Sequence, residues 1–128
     1  SLPEFIVTDT PGINCLFSHY FFPDLTGSTT RYAERRRHLN GHWEFMDANK
    51  VLYSFSGHTH NHFTGFAYKG AGSLFRAFQN LPNESFCLGK EKIIITLPPL
   101  SGEKGRTGFS IFDSDLNELS VIHFIQSD

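Results

Sequence analysis

Residues 51–63 read V-L-Y-S-F-S-G-H-T-H-N-H-F, an apolar and aromatic run that meets a glycine and then three histidines at alternate positions. The composition of 51–55 predicts a strand, because Val, Tyr and Phe fit a pleated, half-buried surface. Gly57 marks a strand end where the chain can turn sharply, as site loops often require. In extended backbone His58 and His60 leave on one face; in a tight loop they diverge toward two neighbouring ions. Imidazole suits Zn, Fe, Mn and Ni. On the residues alone, a metal site and a hydrogen-bonded polar loop are both open readings.

A second run ends in the same way. I-N-C-L-F-S at 13–18, fed by the turn residues T-P-G, reads as a short buried strand, and His19 follows it. Sites in open α/β sheets gather at the carboxyl ends of strands. If 13–18 and 51–55 run parallel, His19 and the 58/60 pair share one edge, and the segment between is long enough for the crossover that parallel pairing demands. That segment holds a loop, D-L-T-G-S-T-T at 24–30, and a helical stretch, R-Y-A-E-R-R-R-H-L at 31–39. Asn40–Gly41 is expected to break the helix, with a second short helix over 42–49. His38 and His42 then flank the break as solvated residues, and Arg35, Arg36 and Arg37 fan around a solvated helix face.

Farther along, H-F-T-G-F-A-Y at 62–68 alternates as a strand, and L-F-R-A-F at 74–78 fits a helical turn or a strand equally. N-L-P-N-E-S reads as loop. K-I-I-I-T-L at 92–97 has so little polar content that both faces should be covered. P-P-L-S-G-E-K-G-R-T-G at 98–108 reads as a long turn-rich loop. F-S-I-F-D at 109–113 and L-S-V-I-H-F-I at 119–125 alternate around S-D-L-N-E as an antiparallel hairpin, in which His123 is structural. The expected fold class is α/β, with α+β as the variant: one domain over 1–128, a mixed β-sheet, one or two helices and a C-terminal antiparallel hairpin.

The 128 residues suit one modest core, and 39% hydrophobic against 19% charged residues favours folding over disorder. Fourteen Phe point to an aromatic-rich, sheet-based core. A net charge of -2 and a pI near 6.4 give no electrostatic case for nucleic acid or an anionic membrane. No apolar run approaches the ~18–20 residues of a membrane span, so a cytoplasmic protein is the expectation. Cys15 and Cys87 both sit among apolar neighbours outside any CxxC pair and read as buried, reduced thiols.

V-L-Y-S-F-S-G-H-T-H-N-H-F resembles the last signature of the calcineurin-like metallophosphoesterases, in which a strand runs into Gly-His-x-His. L-F-S-H-Y-F-F-P is similar to that family's preceding signature, a strand ending in one metal-binding His. K-I-I-I-T-L-P-P and G-F-S-I-F-D-S-D-L-N-E-L look like its closing strands, so the resemblance covers roughly residues 13–125. It implies that His19 and His58 hold one divalent ion (Mn, Fe or Zn) of a two-metal centre and that His60 helps hold the other. It further implies a phosphoester substrate, for which Tyr20, Asn61 and His62 are candidate contacts. The family's earlier signatures, Asp-x-His, Gly-Asp and Gly-Asn-His-Asp/Glu, do not occur in the sequence; N-G-H at 40–42 has the wrong order. The chain therefore looks like the C-terminal half of a metallophosphoesterase, a partial sandwich lacking the bridging Asp, the Asn ligand and the leaving-group His. Little hydrolysis is expected of it alone, and self-association or pairing with the missing half is expected of its uncovered sheet surface.

A different class competes with this reading: a non-catalytic, β-rich binding domain whose H-T-H-N-H serves a mononuclear metal or none. A cupin-like barrel would want a Glu shortly after the His pair, and 63–68 supplies none. A histidine-triad hydrolase would want apolar residues where Thr59 and Asn61 stand.

Overall fold

A computed structural model describes residues 5–8, 13–19, 36–57, 64–68, 75–77, 83–97 and 105–126. In chain order these form strands β1 (Phe5–Val7) and β2 (Cys15–Ser18), helix α1 (Arg36–Ala48), and strands β3 (Tyr53–Ser56), β4 (Thr64–Tyr68), β5 (Phe75–Ala77), β6 (Asn83–Cys87), β7 (Ile93–Thr96), β8 (Gly105–Asp113) and β9 (Glu118–Gln126). A six-stranded sheet has the order β1-β2-β3-β7-β4-β5, and a three-stranded sheet the order β6-β9-β8. Among the described residues the architecture is one helix with two sheets and mostly strand, a mixed α/β or α+β fold as the sequence led us to expect; the second sheet was not expected.

The centre of the large sheet is parallel: β2 pairs with β3, and β3 with β7, each in the same direction. β1 and β4 flank this core antiparallel, and β5 pairs antiparallel with β4. Strands buried on both faces carry apolar residues continuously, and Ile93, Ile94 and Ile95 of β7 are all buried.

Alternation along the strands sorts the side chains into two cores. Leu16, Ala67 and Ile94 pack under the helix with Leu39, Trp43, Met46 and Val51. Cys15, Tyr53, Phe55, Ile93 and Ile95 face the other way, onto Leu88, Leu119 and Val121 beside and within the small sheet. The layers are therefore helix, large sheet, small sheet. Each fully buried Leu or Ile contributes about 1.5–3 kcal/mol of transfer free energy.

Several expectations change. The helix runs straight through Asn40–Gly41 from Arg36 to Ala48. Leu39, His42, Trp43 and Met46 lie at helical spacing and are all buried; burying that face outweighs the ~1 kcal/mol that an interior glycine costs. His42 is accordingly not solvated. It is fully buried, its Nε2 2.6 Å from Ser54 Oγ, because position 42 falls on the core face once the helix is continuous. The N-L-P-N-E-S loop gives way to β6 from Asn83, paired with β9 through Asn83↔Ile122 to Cys87↔Glu118. The long loop ends early: β8 starts at Gly105, because pairing with β9 carries the hairpin out to Gly105↔Gln126. Residues 75–77 are strand, and β1 is a strand that no pattern had marked. Cys15 is buried as expected, whereas Cys87 is exposed; both are free thiols. The readings of residues 31–35, of the 24–30 loop and of the His38 and His123 side chains lie outside the described residues.

Candidate functional site

β2 and β3 are parallel and in register from Cys15↔Tyr53 to Ser18↔Ser56. Both strands therefore end at the same level, on neighbouring ribbons ~4.8 Å apart. His19 follows directly in a bend with an exposed side chain, and Gly57 follows β3. β7 ends beside them, with Ser56↔Thr96 as the last pair, and the Leu97 amide donates to the Ser56 carbonyl at 2.8 Å. Three parallel strands thus deliver His19, Gly57 and Leu97 to one carboxyl edge.

His19 is the one proposed ligand within the described residues. His58 and His60, and the suggested substrate contacts Tyr20, Asn61 and His62, lie outside them. Among the described residues, no group of three or more His, Cys, Asp or Glu side chains is gathered as metal ligands would be. Of the expected metal ligands, the described residues therefore hold one exposed imidazole at the strand edge. Imidazole as a donor type is compatible with a divalent ion such as Zn, Fe or Mn.

A hollow of about 350 Å³ opens at this edge. Ser18, His19, Ser56 and Gly57 border it. Its apolar wall includes Ile6, Phe17, Phe55 and Leu97. Phe17 and Phe55 stack, ring centroids 5.2 Å apart and planes 12° from parallel. Phe55 is held in turn by Phe112 of the small sheet at 5.5 Å. Burial falls off outward along this row, from Phe55 at 5% exposed to Phe17 at 38% and Ile6 at 52%.

Gly57 does not use glycine's conformational freedom. Its backbone lies outside the left-handed region, and a Cβ built there meets nothing within 4 Å. The missing side chain leaves space at the border of the hollow; the turn expected after Gly57 falls on residues 58–63, outside the described residues.

Behind the edge lies a layer of hydroxyls on the helix side of the sheet. Ser54 is bonded to His42, while Ser56 Oγ and Thr96 Oγ1 are buried and find no hydrogen-bond partner among the described residues.

Sequence reading had marked His19 but not the aromatic wall beside it. The usable signal was the alternation Cys15, Phe17, His19, which puts an aromatic one step behind the histidine in extended chain; Ile6 could not have been found, since its strand was unmarked. No protein-family model, no curated protein and no solved structure matches the chain. No described helix is long and apolar enough to cross a membrane.

Proposed function

We propose that this chain supplies the C-terminal histidine ligands of a calcineurin-like metallophosphoesterase centre, with His19 and His58 toward one divalent ion and His60 toward a second. The observation that carries the reading is the parallel, in-register pairing of β2 and β3, which brings the residue after each strand to a common edge. An antiparallel pairing would have sent His19 and the residue after β3 to opposite ends and ended the idea. The small sheet packed on one face and the helix on the other agree with half of such a sandwich. When bound, a pair of ions would supply Lewis-acid charge for a phosphate and a water of lowered pKa. The chain's own part is to hold imidazoles at a rigid strand edge and to offer Tyr20, Asn61 and His62 as contacts for the phosphoester. Three imidazoles are a sparse set for two ions, so the full centre draws its carboxylate and remaining ligands from a companion segment.

The test is a titration of Mn²⁺, Fe²⁺ and Zn²⁺ against wild type, His19→Ala and the double variant His58→Ala/His60→Ala. Both variants should lose at least tenfold in affinity with unchanged circular dichroism. Metal binding that survives the double substitution overturns the assignment and favours the β-rich binding-domain reading. Hydrolysis of an aryl phosphodiester by the chain alone should be negligible even with Mn²⁺ present.

A further inference from the structure

We propose that the hollow beside His19 is a subsite for a planar aromatic group carried on phosphate, the ring lying against Phe17 and Leu97 while the phosphate reaches the imidazole edge. The phosphate half of this statement rests on the proposed metallophosphoesterase reading; the ring half stands on the described residues alone.

Four observations lead there. The volume of about 350 Å³ lies at the lower end of small-molecule sites, and a hollow of roughly 150 Å³ already accepts benzene. The wall is aromatic and rigid: Phe17 is fixed by its stack on Phe55, and Phe55 by Phe112, so a ligand ring meets a surface that is already ordered. The near-parallel planes of Phe17 and Phe55 favour a ring over a flexible chain, since an incoming planar group continues an offset stack. Finally, Gly57 leaves its side of the hollow open without any backbone need for glycine. The hollow is open to solvent, and the exposed His19 lies on its border.

Binding to the Zn²⁺-loaded chain, followed by NMR titration, should be at least tenfold tighter for phenyl phosphate than for glycerol phosphate, which has the same charged group and no ring. Phe17→Ala should abolish most of that ratio and leave glycerol phosphate unchanged. Phe17→Leu, which keeps apolar bulk, should retain part of it and serves if the alanine variant fails to fold. Gly57→Leu should block phenyl phosphate. Equal affinity for the two phosphates, or a ratio indifferent to both Phe17 substitutions, overturns the subsite. So does a Phe17→Ala variant that only converts a dimer to monomer in sedimentation, which would give the surface to a second copy of the chain.

Phenol added to the metal-free chain separates the two proposals. Phenol binding that depends on Phe17, with metal binding indifferent to the histidines, keeps the subsite and removes the metal centre. Histidine-dependent metal binding with no Phe17-dependent ring binding does the reverse.

Discussion

His42 and Ser54 show how one buried contact can be worth more than its hydrogen bond. Both side chains are fully buried and 2.6 Å apart across the helix–sheet boundary. Truncating either removes this bond from its partner's polar atom in the core, which costs about 1–3 kcal/mol beyond the lost contact. His42→Ala also opens a cavity, so a loss of about 2–4 kcal/mol is expected in urea denaturation. Ser54→Ala should cost about 1–3 kcal/mol, and the double variant less than the sum, because the second truncation removes an atom whose bond to the first is already lost. Additive losses would show that the two groups are not coupled. The thiols should separate just as cleanly. Burial pushes the Cys15 thiol above its ordinary pKa, against the opposing hydrogen bond from Thr8, while Cys87 is exposed. A disulfide reagent should therefore modify one thiol rapidly and the other only on unfolding, and Cys87→Ser should abolish the rapid phase.

At the scale of elements, the β8–β9 hairpin is tied to the parallel sheet through its turn. Asn117 sits in the left-handed region at φ 53°, which asparagine tolerates better than alanine. Its Nδ2 donates to the Leu88 carbonyl and, at 2.8 Å, to the Tyr53 hydroxyl, which itself donates to the Gly89 carbonyl. Asn117→Ala should cost about 2–3 kcal/mol, from lost bonds plus backbone strain, and Asn117→Gly about 1 kcal/mol less, since glycine removes the strain alone. Equal losses would mean that the conformation is not the issue. The same cluster carries a pH dependence. Burial raises the Tyr53 hydroxyl above the usual tyrosine pKa, as does the nearby Cys15, while the Asn117 bond pulls it back. A raised folded-state pKa means that stability is intact below the unfolded value of about 10 and is lost as pH climbs through the folded one. Cys15, shifted the same way, adds a decline that starts from its own unfolded value of about 8.5. Denaturation midpoints should fall in that alkaline window, and Tyr53→Phe should remove the part above about pH 10.

For the whole molecule, the mismatch between sheets is the main fact. Among the described residues a six-stranded sheet faces a three-stranded one, and α1 packs on the far face of the larger sheet. On the outer side of the small sheet Phe109 and Ile111 are 42% and 55% exposed, since Phe112, one residue on, turns inward to Tyr53 and Phe55. Exposed apolar sheet surface of this kind drives association, as the pairing with a companion segment would require. Sedimentation should detect concentration-dependent association that Ile111→Lys reduces. A strictly monomeric wild type at high concentration would remove that part of the proposal.

What the sequence determined by itself was the set of strands with strong local signals and the terminal hairpin: the isoleucine run of β7, the strand before Gly57, the strand before His19. Each has a composition that only one kind of environment accommodates. Tertiary structure decided the rest. The helix ignored Asn40–Gly41 because its buried face lies over Leu16 and Ile94, residues distant in sequence; β6 and the early start of β8 exist because β9 supplies partners on both sides. The direction of β2 beside β3, on which the candidate site depends, is likewise a long-range matter. A strand's composition states how it is buried but not which way its neighbour runs, and only packing of the helix and the second sheet fixes that choice.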